Sequence, residues 1–475
     1  MRYERGTGVS GVAVLVILLA GCGAQPYVLD ARQSAEFEFA PSRDPEMLVG
    51  LAVSGGGSRA ATFTASVLEE LARQIKLRDG ARQQSFVEYI NYISSVSGGS
   101  LATAYYGLNK PERDVPVVRG EGLSEPYEKF FRTFRADMKR NYEGSFFSSP
   151  LADATKHAVD LSDTWDKSLF HDAKFSDLYR REQKGDSPKL ILNGTSWDSG
   201  RRFVLTTLPE SEFSFDFTNE ILKDLSDRGG AVEDLRELSK QARTDFNRFR
   251  PITFEEIKAD QRNLHVSVAV AGSSSVPVII GPVMFRVQGS DKKYHIGDGG
   301  LFDNQGIESI AQIFFKKLSE PATDGRTKRK ALIVVIDASY PFMANDEELS
   351  KANSALDLLK IDPSRVSNIM EQRARSYQLL LWAHLRGTGA VVPNPQSLRI
   401  VYLRHTDVNE AIVRSFPKEC GSLVEGAPTL DKVKVLLSRI PTRFEIKQCH
   451  ASLLGAAAKN IVEANVPFIA TFFAK

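Results

Sequence analysis

The stretch Tyr89-Ile90-Asn91-Tyr92-Ile93-Ser94-Ser95-Val96-Ser97-Gly98-Gly99, running on through Ser100 to Tyr106, decides how the rest of the chain is read. Its first part is apolar and β-branched over a strand's length, and it breaks at Ser97-Gly98-Gly99. The small residues that follow suit the start of a helix. A serine on a tight turn between strand and helix presents its hydroxyl at the sheet edge, and glycines beside it permit a strained backbone and close helix packing. The new helix also brings its positive end to that hydroxyl. The general elbow pattern has Gly where Ser95 stands, so this stretch alone fits a Gly-Ser loop or a phosphate-binding turn equally well.

The same grammar appears upstream. Met47 to Val53 is an apolar run of strand length, Ser54-Gly55-Gly56-Gly57 breaks it, and Phe63, Val67, Leu68 and Leu71 mark a helix from Ala60 to Ala72. A strand, a Gly-rich turn and a helix start, repeated, indicate an α/β fold that binds ligands at the C-terminal edge of its sheet. Further strands are expected at Lys189–Asn193 and Arg202–Thr206, joined as a hairpin, and at His265–Ala271, Phe285–Val287, Lys293–Ile296, Leu332–Ile336 and Leu398–Leu403. Residues 350–386 carry a helical pattern. Residues 124–142 alternate aromatic and basic side chains at helical spacing, which suits either a cover over a site or a helix with its aromatic side on the core.

Two Gly-rich stretches carry chemistry with Ser97. Gly55-Gly56-Gly57 can turn peptide N–H groups into a cavity and hold a developing oxyanion. Asp298-Gly299-Gly300 closes a strand with a carboxylate able to approach another loop; within reach of Ser97 it would serve as the base that takes the serine proton. The dinucleotide spacing G-x-G-x-x-G, the phosphate-loop Gly-Lys-Ser/Thr and the zinc pair H-E-x-x-H are all missing, so no cofactor and no metal is expected. Lys and Arg number 61 against 59 Asp and Glu, and no basic stripe stands out, so no nucleic acid is expected as a partner.

The chain resembles the patatin-like phospholipase family on these residues. Gly55-Gly56-Gly57-Ser58-Arg59 matches its Gly-Gly-Gly-x-Arg oxyanion segment, Ser95-Val96-Ser97-Gly98-Gly99 its nucleophile elbow, and Asp298-Gly299-Gly300 its Asp-Gly-Gly/Ala segment. Asn193 to Phe203 and Ala271 to Pro277 resemble further blocks. Ser54 and Ser95 stand where the family commonly has Asp and Gly. The resemblance implies a three-layer α/β fold with a central, mostly parallel sheet and helices on both faces. It also implies a Ser97–Asp298 dyad, an oxyanion hole at Gly55, Gly56 and Gly57, and supporting roles for Arg59, Gly99, Gly299 and Gly300. Arg59 would brace the glycine loop or meet a phosphate headgroup. The implied activity is hydrolysis of phospholipid or lysophospholipid esters, with a broad carboxylesterase or an inactive envelope scaffold as alternatives.

At the N-terminus, Arg2 and Arg5 precede the apolar run Gly11–Ala20, too short to span a bilayer, and then Gly21-Cys22. Leu19-Ala20-Gly21-Cys22 resembles a bacterial lipobox, which implies an acylated Cys22 holding the protein to the cell envelope, at the outer membrane facing the periplasm, with membrane phospholipid as substrate. An ordinary signal peptide with a chance cysteine is the competing reading. Expected boundaries are therefore a signal peptide over 1–21, a tether over 22–46, and a catalytic domain over 47–340 with a helical, lid-forming insertion near 110–180. A C-terminal extension over 341–475 packs on that domain. Cys420 and Cys449 would pair in an oxidising compartment or sit as small buried hydrophobes.

Overall fold

The computed structural model describes residues 25–32, 46–79, 82–145, 154–216, 250–276, 280–320, 329–339 and 397–474, with single positions 227, 237, 240, 376 and 383 between them. The chain forms an α/β fold around a ten-stranded mixed, mostly parallel sheet. Its strands are β1 (Tyr27–Ala31), β2 (Met47–Val53), β3 (Tyr92–Val96), β4 (Lys189–Ser196), β5 (Arg202–Thr206), β6 (Ala259–Asp260), β7 (Val283–Val287), β8 (Lys293–Asp298), β9 (Lys330–Asp337) and β10 (Leu398–Arg404). They lie in the order β6-β1-β7-β8-β4-β3-β2-β9-β10, and β5 pairs with β4 as an antiparallel hairpin.

β2, β3 and β9 are buried over almost their whole length, as parallel strands covered on both faces must be. Alternate side chains point to opposite layers. Val49, Leu51, Val53, Leu332 and Val334 share a core with α1 (Gly57–Gln74), α2 (Gly98–Asn109) and α9 (Gln448–Phe473). Leu48, Ala52, Ile333 and Val335 face α7 (Ile307–Ser319) on the other side. Helices α3 (Glu125–Asp137), α4 (Ala154–Trp165), α5 (Phe175–Lys184), α6 (Val266–Ser273) and α8 (Leu430–Ser438) complete the layers.

Several expectations change here. His265–Ala271 is not a strand: Val266–Ser273 is helix α6, with all eight residues buried. Its valines alternate with small residues and so mimic a strand, but Ala269, Ala271 and Gly272 are small enough for a helix to lie directly on β4 and β8, and packing overrides β propensity. Part of the segment read as a tether, Tyr27–Ala31, is a strand next to the sheet edge, paired on one side with the short edge strand β6 and on the other with β7. In α3 the aromatic side faces inward: Tyr127, Phe130, Phe131 and Phe134 are buried, and Phe134 stacks on Tyr105 at 5.1 Å. The helical pattern at 350–386 falls almost entirely outside the described residues.

The lipid anchor is corrected as well. Cys420 and Cys449 form a disulfide, their Cα atoms 5.2 Å apart, and a disulfide sulfur has no thiol to accept an acyl chain. Cys22, the remaining cysteine, lies outside the described residues with the rest of the expected signal peptide. Among the described residues no helix is long and apolar enough to cross a membrane. The anchored attachment to an envelope membrane, and the outer-membrane location drawn from it, are accordingly withdrawn.

Candidate active site

The register of β4 brings the two distant loops together. β3 runs parallel to β4 and ends at Val96 opposite Asn193; β8 arrives antiparallel and ends at Asp298 opposite Gly194, the next residue. β5 fills the opposite flank of β4 over residues 191–195. The strands carrying Ser97 and Asp298 therefore converge end to end along one edge of β4, and both side chains are buried, at 4% and 6% exposure.

Ser97 sits at φ 53° and ψ −125° between β3 and α2, a conformation that L residues avoid and that tertiary contacts must enforce. The restraint is a buried hydroxyl network. The Ser97 N–H donates to Ser273 Oγ (3.0 Å), which donates to the Asn193 carbonyl (2.6 Å) and meets Ser100 Oγ (2.9 Å). Ser100 in turn meets Ser95 Oγ (3.1 Å), which accepts from Thr103 (2.7 Å). Ser95, a departure from the usual elbow glycine, thus has its hydroxyl partnered. The Asn193 amide donates to Ser94 Oγ and the Ser95 carbonyl, both at 2.9 Å, and its oxygen accepts from Ser309. In the sequence, Ser273 and Asn193 stand out only as parts of longer blocks. The Ser-rich run Ser273–Ser275 was the available signal, but nothing local to it points to a partner 176 residues away.

Asp298 is held on all sides. Its N–H donates to the Ser275 carbonyl (2.9 Å), its own carbonyl accepts from Thr195 Oγ1 (2.8 Å), and Oδ1 accepts from the Gly300 N–H (2.7 Å). The Ser97 side chain lies close enough to that carboxyl to pull its pKa down. Burial raises its pKa to about 6, against the opposing pull of Gly300 and Ser97. Gly299 is required by close approach, since a Cβ there would lie 2.3 Å from the Asn193 carbonyl oxygen; one on Gly300 would lie 2.8 Å from Asn304 Oδ1, the end of a side chain that can shift. Asp303 stiffens the loop from below by accepting from the N–H groups of Gln305 (3.1 Å) and Glu308 (2.7 Å).

The three glycines of the expected oxyanion segment do not play equal parts. The Gly55 N–H donates to the Asn304 carbonyl at 2.9 Å and so is already engaged. The Gly56 and Gly57 N–H groups, at the mouth of α1, have no acceptor among the described residues. Both glycines have positive φ, 138° and 57°, which side-chain-bearing residues rarely adopt. Gly99 is needed for packing, since its Cβ would meet the Ser54 carbonyl oxygen at 2.5 Å. Arg59 is buried and donates from Nε to the Ala338 carbonyl (2.7 Å) and from Nη1 to the Ile440 carbonyl (2.5 Å). It braces the loop.

No histidine joins this group among the described residues. His295 pairs with Asp198 at 3.0 Å on the exposed side of β8, and His405 is buried against the Asp337 carbonyl, its pKa lowered to about 4 mainly by burial. Asp166, Asp172 and His265 form a cluster whose ligand atoms lie within 4.8 Å of one another, at the end of α6 opposite Ser273. It is separate from Ser97.

Human GIVD cytosolic phospholipase A2 is a similar solved structure: 12% sequence identity and a TM-score of 0.47 over 90% of this chain and 60% of that one. The same human enzyme bound to methyl gamma-linolenyl fluorophosphonate aligns at 14% identity and a TM-score of 0.44, over 90% and 58%. VipD from Legionella pneumophila aligns at 11% identity and a TM-score of 0.26, over 92% and 71%. The chain therefore spans about 60% of the human enzyme's length. No curated protein sequence matches it. The decisive match is to the sequence profile described as patatin-like phospholipase, which covers residues 51–310, from the strand ahead of the glycine loop to the helix behind Asp298. With more than half of its length inside that match, the chain belongs to the patatin-like phospholipase family.

Proposed function

We propose that the protein is a serine acyl hydrolase that cleaves carboxylic esters of phospholipids or lysophospholipids, with Ser97 as nucleophile and Asp298 as general base. One observation carries the reading: the ends of β3 and β8 meet along one edge of β4, which brings a buried Asp298 carboxyl beside a serine held at positive φ at a strand–helix junction. The pair lies at the sheet edge that also bears two amides without acceptors among the described residues, those of Gly56 and Gly57.

Asp298 takes the Ser97 proton as Oγ attacks the ester carbonyl. The Gly56 and Gly57 N–H groups receive the oxyanion, a contact that strengthens as charge develops and therefore lowers the barrier. Collapse of the tetrahedral species expels the alcohol, which takes the proton back from Asp298. Water, deprotonated by the same carboxylate, then releases the fatty acid from the acyl-serine. A carboxylate near its ordinary pKa is a weak base for this task. Burial that raises Asp298 to about 6 brings it closer to neutral working pH.

Labelling by a fluorophosphonate, combined with turnover of a long-chain phospholipid and a short-chain ester, tests the proposal. Wild type should label and turn over, while Ser97→Ala and Asp298→Ala do neither. Labelling that persists in Ser97→Ala would place the nucleophile elsewhere, and a clear preference for the short ester would favour a carboxylesterase.

A further inference from the structure

The glycine loop is fastened to a part of the chain far beyond the family match. The Ser58 N–H donates to the Arg443 carbonyl at 2.6 Å, and Arg59 Nη1 donates to the Ile440 carbonyl at 2.5 Å. Gly57 itself leaves no room beside that strap, because a Cβ there would lie 2.3 Å from the Arg443 carbonyl oxygen. On its far side the strap is clamped by Glu143, whose Oε1 accepts from the Phe444 N–H (2.9 Å) and from Arg443 Nε (3.2 Å). The Phe444 carbonyl accepts from the Tyr142 N–H (2.9 Å), and its ring packs edge-on against Trp165. Residues 440–444 lie wholly inside the loop closed by the Cys420–Cys449 disulfide. Cys449 stands in the first turn of α9, the helix that packs along α1, and α1 begins with these same glycines.

We propose that the disulfide-closed loop Cys420–Cys449 is a positioning element for the oxyanion glycines, so that the redox state of this bond sets the turnover number. The inference rests on the Ser97–Asp298 reading above. With the bond intact, the strap is tethered at both ends to the α1–α9 layer and holds the first turn of α1 with the Gly56 and Gly57 amides in place. A dithiol reductant supplies two electrons and two protons: the S–S bond breaks to two thiols and the dithiol closes to its own disulfide. The strap then loses its covalent tether at Cys420, and the Glu143 clamp and the Ser58 and Arg59 bonds must hold strap and glycine loop together without it. Amides that act on developing charge affect kcat rather than substrate binding.

The test uses the full chain, oxidised or reduced with dithiothreitol, with kcat and KM on a phospholipid, the fluorophosphonate labelling rate, thiol titration and circular dichroism. Reduction should expose two additional thiols and lower kcat on the order of tenfold, KM staying within about twofold, because misplaced oxyanion donors cost transition-state stabilisation. Labelling should slow in parallel, and reoxidation should restore both. Cys420→Ser/Cys449→Ser should be permanently slow and indifferent to dithiol. Glu143→Gln, which weakens the clamp with the disulfide intact, gives a second route if that variant does not fold, and should lower kcat by a smaller factor at unchanged KM. A reduced, folded enzyme whose kcat matches the oxidised one overturns the proposal, as does an unchanged kcat in Glu143→Gln. Ser97→Ala separates the two readings: turnover surviving in it sinks the dyad, whereas a dead Ser97→Ala beside a redox-indifferent wild type sinks only the strap.

Discussion

Gly98→Ala should nearly abolish turnover while leaving the protein folded. The Cβ it adds would lie 2.0 Å from the Gly57 carbonyl oxygen and 2.6 Å from its carbonyl carbon, both backbone atoms that no rotamer change can move aside. Ordinary contact begins near 3.4 Å, so the two loops must separate by about 1.4 Å. Gly98 directly follows Ser97 and Gly57 carries one of the two amides assigned to the oxyanion, so the methyl drives nucleophile and oxyanion site apart. A misplacement of about 1 Å costs roughly 100-fold in rate, equivalent to about 2.7 kcal/mol of transition-state stabilisation. The assay is kcat/KM on a phospholipid with active sites titrated by fluorophosphonate, beside a thermal melt. Gly107→Ala in the same helix is the control, because its Cβ meets only the ends of the Leu190 and Ser187 side chains at 2.8 Å. It should lower stability with kcat/KM unchanged. A folded Gly98→Ala that keeps kcat/KM within about threefold of wild type would refute the reasoning.

Three further outcomes are expected. Because burial holds the Asp298 pKa at about 6 and only the carboxylate can accept the serine proton, kcat/KM should climb about tenfold per unit below pH 6 and level off above it; a profile with no limb near 6 counts against Asp298. Glu182 is buried with its pKa raised to about 7, so its fold-stabilising, protonated form is lost as pH rises from 4.5 through 7. Glu182→Gln, whose amide can still accept from Leu190 N and donate to Thr207, should be more stable than wild type at pH 8, by up to about 3 kcal/mol, and no more stable at pH 4; denaturant melts at both values decide it. Ser273→Ala strands the Ser97 N–H and one bond to the Asn193 carbonyl and should destabilise by about 1–3 kcal/mol, with a fall in kcat at constant folded fraction; unchanged kcat would detach the hydroxyl network from the elbow.

What the sequence revealed follows from where the information is local. Met47–Val53 and Leu332–Ile336 are parallel strands covered on both faces, so their apolar runs name them directly, and the glycines after Val53 mark its loop. The pairing of Cys420 with Cys449 was one of two readings left open by the cysteine count. α6 was misread because its valines alternate, and only the layers around it reveal that no face is solvated. Tyr27–Ala31 carries no strand signal of its own because a five-residue strand acquires its identity from its neighbours β6 and β7, more than 200 residues away. The strap at 440–444 left no trace, because its part is taken by the carbonyls of Ile440 and Arg443, and a carbonyl carries no residue-type signal.

The conserved chemistry of a carboxyl group also explains why the site is built from so many backbone contacts. On the proposed mechanism a dyad without histidine must raise the basicity of its aspartate, and burial raises the Asp298 pKa while Gly300 and Ser97 pull it down. Each added donor would stabilise the carboxylate and lower its pKa again, so Asp298 can be fixed only through groups that leave its second oxygen uncrowded. Its N–H and carbonyl carry much of that load, through Ser275 and Thr195, and the single amide of Gly300 fixes Oδ1. Tight packing then stands in for side-chain bonding, and it demands that the neighbours have no Cβ: Gly299 against Asn193, Gly98 against Gly57, Gly57 against Arg443. On this argument a substitution that adds a donor to Asp298 should shift the acidic limb of the rate profile downward in pH and slow the plateau, while a substitution that adds a methyl at one of those glycines should slow the plateau and leave the limb where it is.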